Sequence, residues 1–201
     1  MTKIAIIDYG LGNLRSVIRG LKEAGAQAVI TCDKAEIASA DGLVLPGVGA
    51  FHEGMEQLGS LKETVLESTR DVPLLGICLG MQMLMETSEE HGIHQGLGLI
   101  PGSVLKFPRV QGLKVPHMGW NSLTLTKSDH QLFAGFGTDE YMYFVHSYYA
   151  DTTTENTLAS TSYICPFASS VGQGNTFGVQ FHPEKSGAIG LRLLSNFIGM
   201  C

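Results

Sequence analysis

The most constraining feature of the sequence is a cysteine held between two glycines, after an apolar run and before a helix-prone stretch. Residues 76–80 read Gly-Ile-Cys-Leu-Gly, directly after Val-Pro-Leu-Leu at 72–75 and before Met-Gln-Met-Leu-Met-Glu at 81–86. This order predicts a strand, a sharp turn and a helix, with Cys78 at the apex. The glycines permit a turn that a Cβ would obstruct, and the helix N-terminus makes the thiol easier to ionise. The pattern is typical of a nucleophile elbow, whereas an isolated cysteine after an apolar strand is usually an inert core residue.

The strand and helix signals of the first half alternate, which predicts an α/β fold. Apolar runs predict strands at 4–8, 26–31, 42–46 and 73–77, and helical spacing predicts helices ending near Gly25 and spanning about 55–70. This order implies a mostly parallel central sheet with flanking helices. After residue 90, short strands at 103–107, 122–126, 141–149, 158–163, 167–172 and 176–181 predict antiparallel hairpins, before a closing helix over 187–198.

Length and charge limit the classes of protein that remain. A chain of 201 residues, 44% of them hydrophobic, is expected to form one domain, residues 1–201. A net charge of −6 without a Lys- or Arg-rich run argues against a nucleic-acid partner. A strand pattern starting at Lys3 leaves no signal peptide, and no apolar run approaches the roughly 20 residues of a membrane span. We therefore expect a cytoplasmic protein with no membrane association.

The four cysteines (Cys32, Cys78, Cys165 and Cys201) are scattered and form no CxxC pair. This spacing argues against a metal site and against a disulfide framework, so we expect reduced thiols and no metal. A Gly-Leu-Gly run at 10–12 suggests a dinucleotide loop, but Arg15 occupies the place of its third glycine. No cofactor is expected.

A base and an acid for the cysteine occur far along the chain, in the segment Phe-His-Pro-Glu at 181–184. A Cys nucleophile needs a base to take its proton, and a carboxylate to fix the base's tautomer. In extended backbone, His182 and Glu184 project to the same side, so the carboxylate can reach the imidazole. Taken alone, His182 would more simply be a structural histidine at a strand end.

An oxyanion intermediate also needs backbone N–H donors. One is expected from Leu79, directly after the cysteine. The second is expected from Val48 or Gly49 within Pro-Gly-Val-Gly at 46–49, although these glycines could also form an ordinary turn.

Together these segments resemble the signatures of the class I (triad) glutamine amidotransferases: residues 76–82, 46–49 and 182–184. Three further stretches resemble the glutaminase subunits of imidazole glycerol phosphate synthase within that family. They are Asp-Tyr-Gly-Leu-Gly-Asn-Leu at 8–14, Pro-His-Met-Gly-Trp-Asn at 116–121 and His-Pro-Glu-Lys-Ser at 182–186. The resemblance runs from end to end.

The resemblance implies hydrolysis of the L-glutamine side-chain amide through a γ-glutamyl thioester on Cys78. His182 would act as base and then as acid, oriented by Glu184. The substrate-holding positions of the family match Gln82, Glu90, Ser147 and Tyr148; without the family, Gln82 and Glu90 would be interpreted as solvated helix-face residues.

The resemblance also implies a partner that receives the ammonia, a (β/α)8-barrel cyclase subunit that forms a heterodimer with the glutaminase. That subunit makes imidazole glycerol phosphate and AICAR in histidine biosynthesis. Trp120, Asn121 and Lys185 resemble interface positions, although Trp120 could be an ordinary core residue. Isolated family members are nearly silent, and we expect the same here.

Two other functions remain open from the sequence. The chain could be a glutaminase that feeds a different synthase. It could also be an idle scaffold or a thiol-based stress protein with a cysteine at the same elbow, although that function would need neither His182 nor Glu184.

Overall fold

The computed structural model describes all residues, 1–201. The helices are α1 (Leu14–Glu23), α2 (Lys34–Ala38), α3 (Phe51–Leu58), α4 (Lys62–Ser68), α5 (Leu79–Met83) and α6 (Gly187–Ile198), with 3-10 turns at Gly59–Leu61, Gln131–Phe133 and Pro183–Lys185. The strands are β1 (Lys3–Ile7), β2 (Gln27–Thr31), β3 (Gly42–Gly47), β4 (Leu74–Cys78), β5 (Met85–Ser88), β6 (His94–Gln95), β7 (Ile100–Lys106), β8 (His117–Ser122), β9 (Thr124–Leu125), β10 (Tyr141–His146), β11 (Tyr148–Asp151), β12 (Thr157–Ser162), β13 (Pro166–Gln173) and β14 (Thr176–Val179).

The large sheet combines a parallel region with an antiparallel one. Its order is β2-β1-β3-β4-β14-β13-β11-β7-β5-β6, and β12 pairs with β13 and β9. The strands β2, β1, β3, β4 and β14 are parallel to one another, whereas β14 is antiparallel to β13 and β13 to β11. The predicted α/β fold, with a parallel sheet and antiparallel hairpins in the C-terminal half, is confirmed.

Helices cover both faces of the parallel region. Alternate side chains of its strands point to opposite faces and belong to two separate apolar clusters. On β1, Ile4 and Ile6 belong to the cluster that contains buried side chains of α1 and α6. Ala5 and Ile7 belong to the second cluster, with buried side chains from α2 to α5. This two-residue alternation is what a sheet buried on both faces requires.

Two predicted helices have different limits in the structure. The helix predicted over 55–70 starts earlier and is divided into α3 and α4, because Gly59 adopts φ +39° and a 3-10 turn separates the two. The helix predicted over 81–86 is wrong beyond Met83: Met85 starts β5 and pairs with Ile100 of β7. Burial and strand pairing at Met85 outweigh the helical propensity of this segment. None of the helices has the length and apolar character to cross a lipid bilayer.

A small antiparallel sheet of β8 and β10 lies outside the large sheet. The strand predicted over 141–149 is therefore divided at Ser147, since β10 pairs with β8 while β11 pairs with β7. The strand predicted over 122–126 is largely replaced by β8, which begins at His117 and is followed by the short β9. Opposite residues of the small sheet share a face: Trp120 and Tyr143 lie on one side, and the buried His117 and His146 on the other.

Candidate active site

Cys78 lies at a strained turn between β4 and α5. Its backbone has φ +56° and ψ −107°, a conformation that residues with a Cβ rarely adopt. Such strain costs of order 1–3 kcal/mol and persists only where the surroundings enforce it. Cys78 is buried, with 7% of the residue exposed, so the turn presents the cysteine at the edge of the sheet with little contact with solvent.

The two glycines around the cysteine are required by close packing. A Cβ at Gly76 would lie 2.8 Å from the backbone of Gly80 and Met81. A Cβ at Gly80 would overlap the carbonyl oxygen of Leu45 in the neighbouring strand β3. Glycine at 76 therefore lets α5 fold back against the end of β4, and glycine at 80 lets the turn pack against β3.

The parallel pairing of β14 with β4 brings His182 close to Cys78. Val179 lies opposite Ile77, so the chain that leaves β14 passes beside the Cys78 turn. His182 is buried, and its Nδ1 lies 2.9 Å from Oε1 of Glu184, whose side chain is also buried. Burial alone would lower the pKa of His182, but its contacts with Cys78 and Glu184 outweigh this effect and raise the pKa to about 9.

The other ring nitrogen of His182 is available for chemistry. With the proton on Nδ1 and shared with Glu184, Nε2 is the basic nitrogen. Nε2 is buried and makes no hydrogen bond to the protein. A base fixed in this tautomer beside a thiol can take the thiol's proton and return it to a leaving group.

A second loop approaches the cysteine from β3. Gly47 pairs with Cys78, and a Cβ at Gly47 would lie 2.9 Å from the Cβ of Leu79. The hydroxyl of Tyr9 donates to the carbonyl of Pro46 at 2.7 Å and holds this loop in place. Burial, together with proximity to Cys78, raises the pKa of Tyr9, so the hydroxyl stays a donor at neutral pH.

The residues predicted for the oxyanion and for the substrate line one cavity with the cysteine and the histidine. The cavity has a volume of about 380 Å³, enough for an amino acid. Its lining comprises Val48, Gly49, Cys78, Leu79, Gln82, Glu90, Pro116, Val145, His146, Ser147, Tyr148 and His182. All predicted oxyanion and substrate positions therefore lie in this cavity.

Gln82 and Glu90 line the cavity and also form hydrogen bonds within the protein. Nε2 of Gln82 donates to the carbonyl of Tyr148 and to Oε1 of Gln180, both at 3.0 Å. The Glu90 carboxylate accepts from the backbone N–H of Phe51 at 2.6 Å, at the start of α3. These bonds contradict the alternative interpretation of both residues as solvated helix-face side chains.

A buried pair of histidines extends from the cavity to the small sheet. Nδ1 of His146 lies 2.8 Å from the carbonyl of Tyr148, and Nε2 of His146 lies 3.0 Å from Nδ1 of His117. Because a carbonyl only accepts, His146 carries its proton on Nδ1 and accepts through Nε2 from His117. Burial lowers the pKa of His146 to about 3 and that of His117 to about 4, so both rings are neutral.

The three predicted interface residues are placed differently from one another. Trp120 is 55% exposed, which contradicts its interpretation as a core residue. The Lys185 ammonium is exposed and lies 5.9 Å from the centre of the Tyr143 ring, which contacts Trp120 edge-on. Asn121 instead turns inwards: its Nδ2 lies 3.2 Å from Nε2 of His117 and 3.0 Å from the carbonyl of Ser162.

Sequence reasoning missed Gln180, Tyr9 and the histidine pair. Gln180 precedes His182 by two residues, so alternation along an extended segment would have placed both side chains on one side. No local pattern signals that Tyr9 reaches Pro46 or that His117 meets His146, because both contacts depend on the tertiary fold. No group of three or more His, Cys, Asp or Glu side chains is arranged to hold a metal ion.

Comparison with known proteins identifies the family. The family model for class-I glutamine amidotransferase matches residues 5–200. A relative from Methanosarcina barkeri, named imidazole glycerol phosphate synthase subunit HisH, is 54% identical over 204 aligned residues that cover 100% of both chains. Another relative with that name, from Archaeoglobus fulgidus, is 46% identical and covers 98% of each chain.

Solved structures agree with this result. A putative GMP synthase protein from Thermoplasma acidophilum superposes with a TM-score of 0.75 at 26% identity, covering 100% of this chain and 94% of that one. PurLQS from Thermotoga maritima gives a TM-score of 0.78 at 18% identity, with 99% of both chains covered, and so shares the fold. Because the family model matches residues 5–200, which is almost the whole chain, the chain belongs to the class I glutamine amidotransferases.

Proposed function

We propose that the chain hydrolyses L-glutamine to L-glutamate and ammonia and passes the ammonia to a (β/α)8-barrel cyclase subunit. That subunit makes imidazole glycerol phosphate and AICAR in histidine biosynthesis. One observation carries the proposal: a single cavity contains the strained Cys78 and the base His182, oriented by Glu184. The choice of synthase is supported by the full-length relatives named imidazole glycerol phosphate synthase subunit HisH.

In the first half of the reaction, the Cys78 proton moves to Nε2 of His182 and the sulfur attacks the side-chain carbonyl carbon of glutamine. The resulting tetrahedral oxyanion takes hydrogen bonds from the backbone N–H of Leu79 and from Val48 or Gly49 in the loop after β3. His182 then donates its Nε2 proton to the amide nitrogen as the C–N bond breaks. Ammonia leaves, and a γ-glutamyl thioester remains on Cys78.

In the second half, water attacks the thioester carbonyl while His182 Nε2 accepts a proton from that water. The C–S bond breaks, glutamate is released, and the sulfur departs as the thiolate that the imidazolium then reprotonates. Glu184 stabilises the imidazolium in both halves, because its carboxylate keeps the Nδ1 proton. No cofactor is needed for either half.

We assign the α-amino and α-carboxyl groups of the substrate to the part of the cavity lined by Glu90, Ser147 and Tyr148. The Glu90 carboxylate supplies a negative charge for the α-ammonium group, since its hydrogen bond with Phe51 leaves further acceptor sites free. Ser147 lies between β10 and β11 and Tyr148 begins β11, where the chain passes from the small sheet to the large one, and both residues line the cavity. Gln82 is held between Tyr148 and Gln180, which supports a role in orienting the substrate amide.

The barrel partner is assigned to the exposed face of the small sheet. Met118 and Trp120 are 63% and 55% exposed, and Val145, opposite Met118, lines the cavity. An exposed apolar patch of this kind commonly marks a protein interface. Val145 and Val48 line the same cavity, which supports a mechanism in which docking on this face reorients an oxyanion donor and switches on hydrolysis.

Two further assignments complete the proposal. Residues 1–201 form one domain, because strands from both halves of the chain share the large sheet. The enzyme works in the cytoplasm, because the mechanism requires Cys78 as a reduced thiol and a reducing compartment maintains that state.

The test is glutamate release by the chain alone, with the barrel cyclase subunit of the same organism, and with that subunit and its nucleotide ligand. The expected result is a low rate for the chain alone and an increase of at least about tenfold in the liganded complex. A rate for the isolated chain equal to that of the complex would contradict the coupling. A stable complex that releases no glutamate under any condition would contradict the glutaminase assignment.

A further inference from the structure

We propose that Gln180 is a further catalytic residue, whose side-chain amide donates a hydrogen bond to the Cys78 sulfur and stabilises it as a thiolate. The inference rests on the proposed glutaminase function and adds a residue that the sequence did not indicate. Nε2 of Gln180 lies 3.7 Å from Sγ of Cys78, within hydrogen-bond distance for sulfur.

Gln180 is placed there by the parallel pairing of β14 with β4. It follows Val179, which lies opposite Ile77, so Gln180 is adjacent to Cys78 across the sheet. The residue is fully buried, and its backbone N–H donates to the carbonyl of Ser169 at 2.9 Å. Burying an amide side chain is costly unless its polar atoms are bonded, which gives the contact with the sulfur a physical reason.

The orientation of the Gln180 amide follows from its neighbours. The Tyr148 carbonyl can only accept, so the end of the Gln82 side chain that faces it is the NH2 group. The same NH2 group of Gln82 lies 3.0 Å from the Gln180 amide, whose facing atom must therefore be the acceptor oxygen. The remaining end of the Gln180 amide is the NH2 group, and it faces the sulfur.

This orientation is supported by the bonds on the other side of the Tyr148 carbonyl. Nδ1 of His146 also donates to that carbonyl, and Nε2 of His146 accepts from His117. Every donor and acceptor from His117 to Cys78 is then matched. Reversing the amide of Gln180 would bring its NH2 group face to face with the NH2 group of Gln82.

The chemical consequence concerns the charge on sulfur. A thiolate in a buried site needs donors, and a hydrogen bond to an ionised acceptor is stronger than one to a neutral acceptor. His182 provides positive charge beside the sulfur, and Gln180 provides a neutral donor whose strength does not depend on pH. The same donor favours departure of the thiolate when the thioester is hydrolysed.

The test is the pH dependence of Cys78 alkylation by iodoacetamide in the full-length chain, read by mass spectrometry of the peptide that contains Cys78. Gln180→Met and Gln180→Leu each remove the donor without adding charge. The midpoint of the alkylation profile should rise by about one pH unit in both variants. Gln173→Met, at the exposed end of β13, is the matched control and should leave the profile unchanged.

If one variant fails to fold, as judged by circular dichroism and thermal unfolding, the other carries the test. An alkylation profile equal to that of the parent in a folded variant would overturn the inference. Alkylation requires neither glutamine nor a partner, so this result is separable from the glutaminase assignment. A complex that releases no glutamate while both variants shift the profile would contradict the proposed function and keep the role of Gln180.

Discussion

The Glu184 carboxylate lies 2.9 Å from Nδ1 of His182, in a pair whose two side chains are almost completely buried. This one distance determines which ring nitrogen carries the permanent proton, and therefore which nitrogen can exchange a proton with the thiol. Because the pair is shielded from water, its interaction is little weakened by salt. The arrangement supports the proposed catalytic role of His182.

Glu184→Gln should lower kcat for glutamine hydrolysis in the complex by about 10²- to 10⁴-fold, the range typical of general acid–base catalysis. The amide cannot stabilise the imidazolium, and its NH2 group can favour the wrong tautomer of His182. KM should change little, because Glu184 does not line the cavity. Steady-state kinetics would measure both, with Glu63→Gln on the exposed surface of α4 as the control. A kcat within about threefold of the parent, well short of that range, would refute the role of Glu184.

Gly80→Ala should destabilise the fold, because the added Cβ overlaps the carbonyl oxygen of Leu45 in the adjacent strand. The loss in the free energy of unfolding should be about 3 kcal/mol or more, as measured by urea denaturation. Gly199→Ala is the matched control: Gly199 has a helical φ of −71° and its Cβ would lie 3.4 Å from the nearest atom. That change should alter stability by less than about 1 kcal/mol. Equal stability of the two variants would contradict the close packing described for the elbow.

If the proposed interface is correct, Trp120→Ala should weaken binding of the proposed barrel cyclase subunit by about 2 kcal/mol or more, the loss expected for an aromatic residue buried on docking. Folding stability should change little, since the side chain is 55% exposed. Isothermal titration calorimetry would give the Kd, and urea denaturation would give the stability. Gln27→Ala, on the edge strand β2, is the control that should leave the Kd unchanged. Unchanged affinity of the Trp120 variant would move the docking surface elsewhere.

Acid should destabilise the fold through His146. Its pKa is lowered from 6.5 to about 3, so below pH 6.5 the unfolded chain binds a proton that the folded chain does not. The stabilisation is fully present above the unfolded-state value and is lost as the pH falls towards the folded-state value. The loss at about pH 5 should be about 2 kcal/mol, relative to a variant without this titration. His117 acts in the same direction, since burial lowers its pKa to about 4.

Urea denaturation at neutral pH and at about pH 5 would measure this effect for the parent and for His146→Asn. The parent should lose more stability between the two pH values than the variant does. Equal losses in both proteins would show that His146 does not exchange protons differently in the folded and unfolded chains.

Much of the site could be predicted because its parts are local in sequence. The turn at Cys78 is specified by two glycines and an apolar strand, and the His182 and Glu184 pair is specified by a two-residue spacing in extended backbone. The resemblance to a family then assigned Gln82, Glu90, Ser147 and Tyr148, and the structure places all four in one cavity. These residues could be predicted because they lie within recognisable sequence motifs.

The remaining parts depend on long-range pairing, which no local pattern encodes. The helix predicted after Cys78 ends at Met83 because Met85 is recruited into a strand beside Ile100. The strand predicted over 141–149 is divided between two sheets, and this division brings His146 to His117. Gln180 reaches the sulfur only because β14 pairs in parallel with β4.

The most direct measurement is the mass of the chain after an acid quench. The complex with the barrel subunit turns over glutamine in the presence of the nucleotide ligand, and acid stops the reaction during turnover. The proposed mechanism predicts one added γ-glutamyl group on the peptide that contains Cys78, and no added group and no glutamate release in Cys78→Ala. A γ-glutamyl group on a different residue, or parental rates of glutamate release by Cys78→Ala, would contradict it.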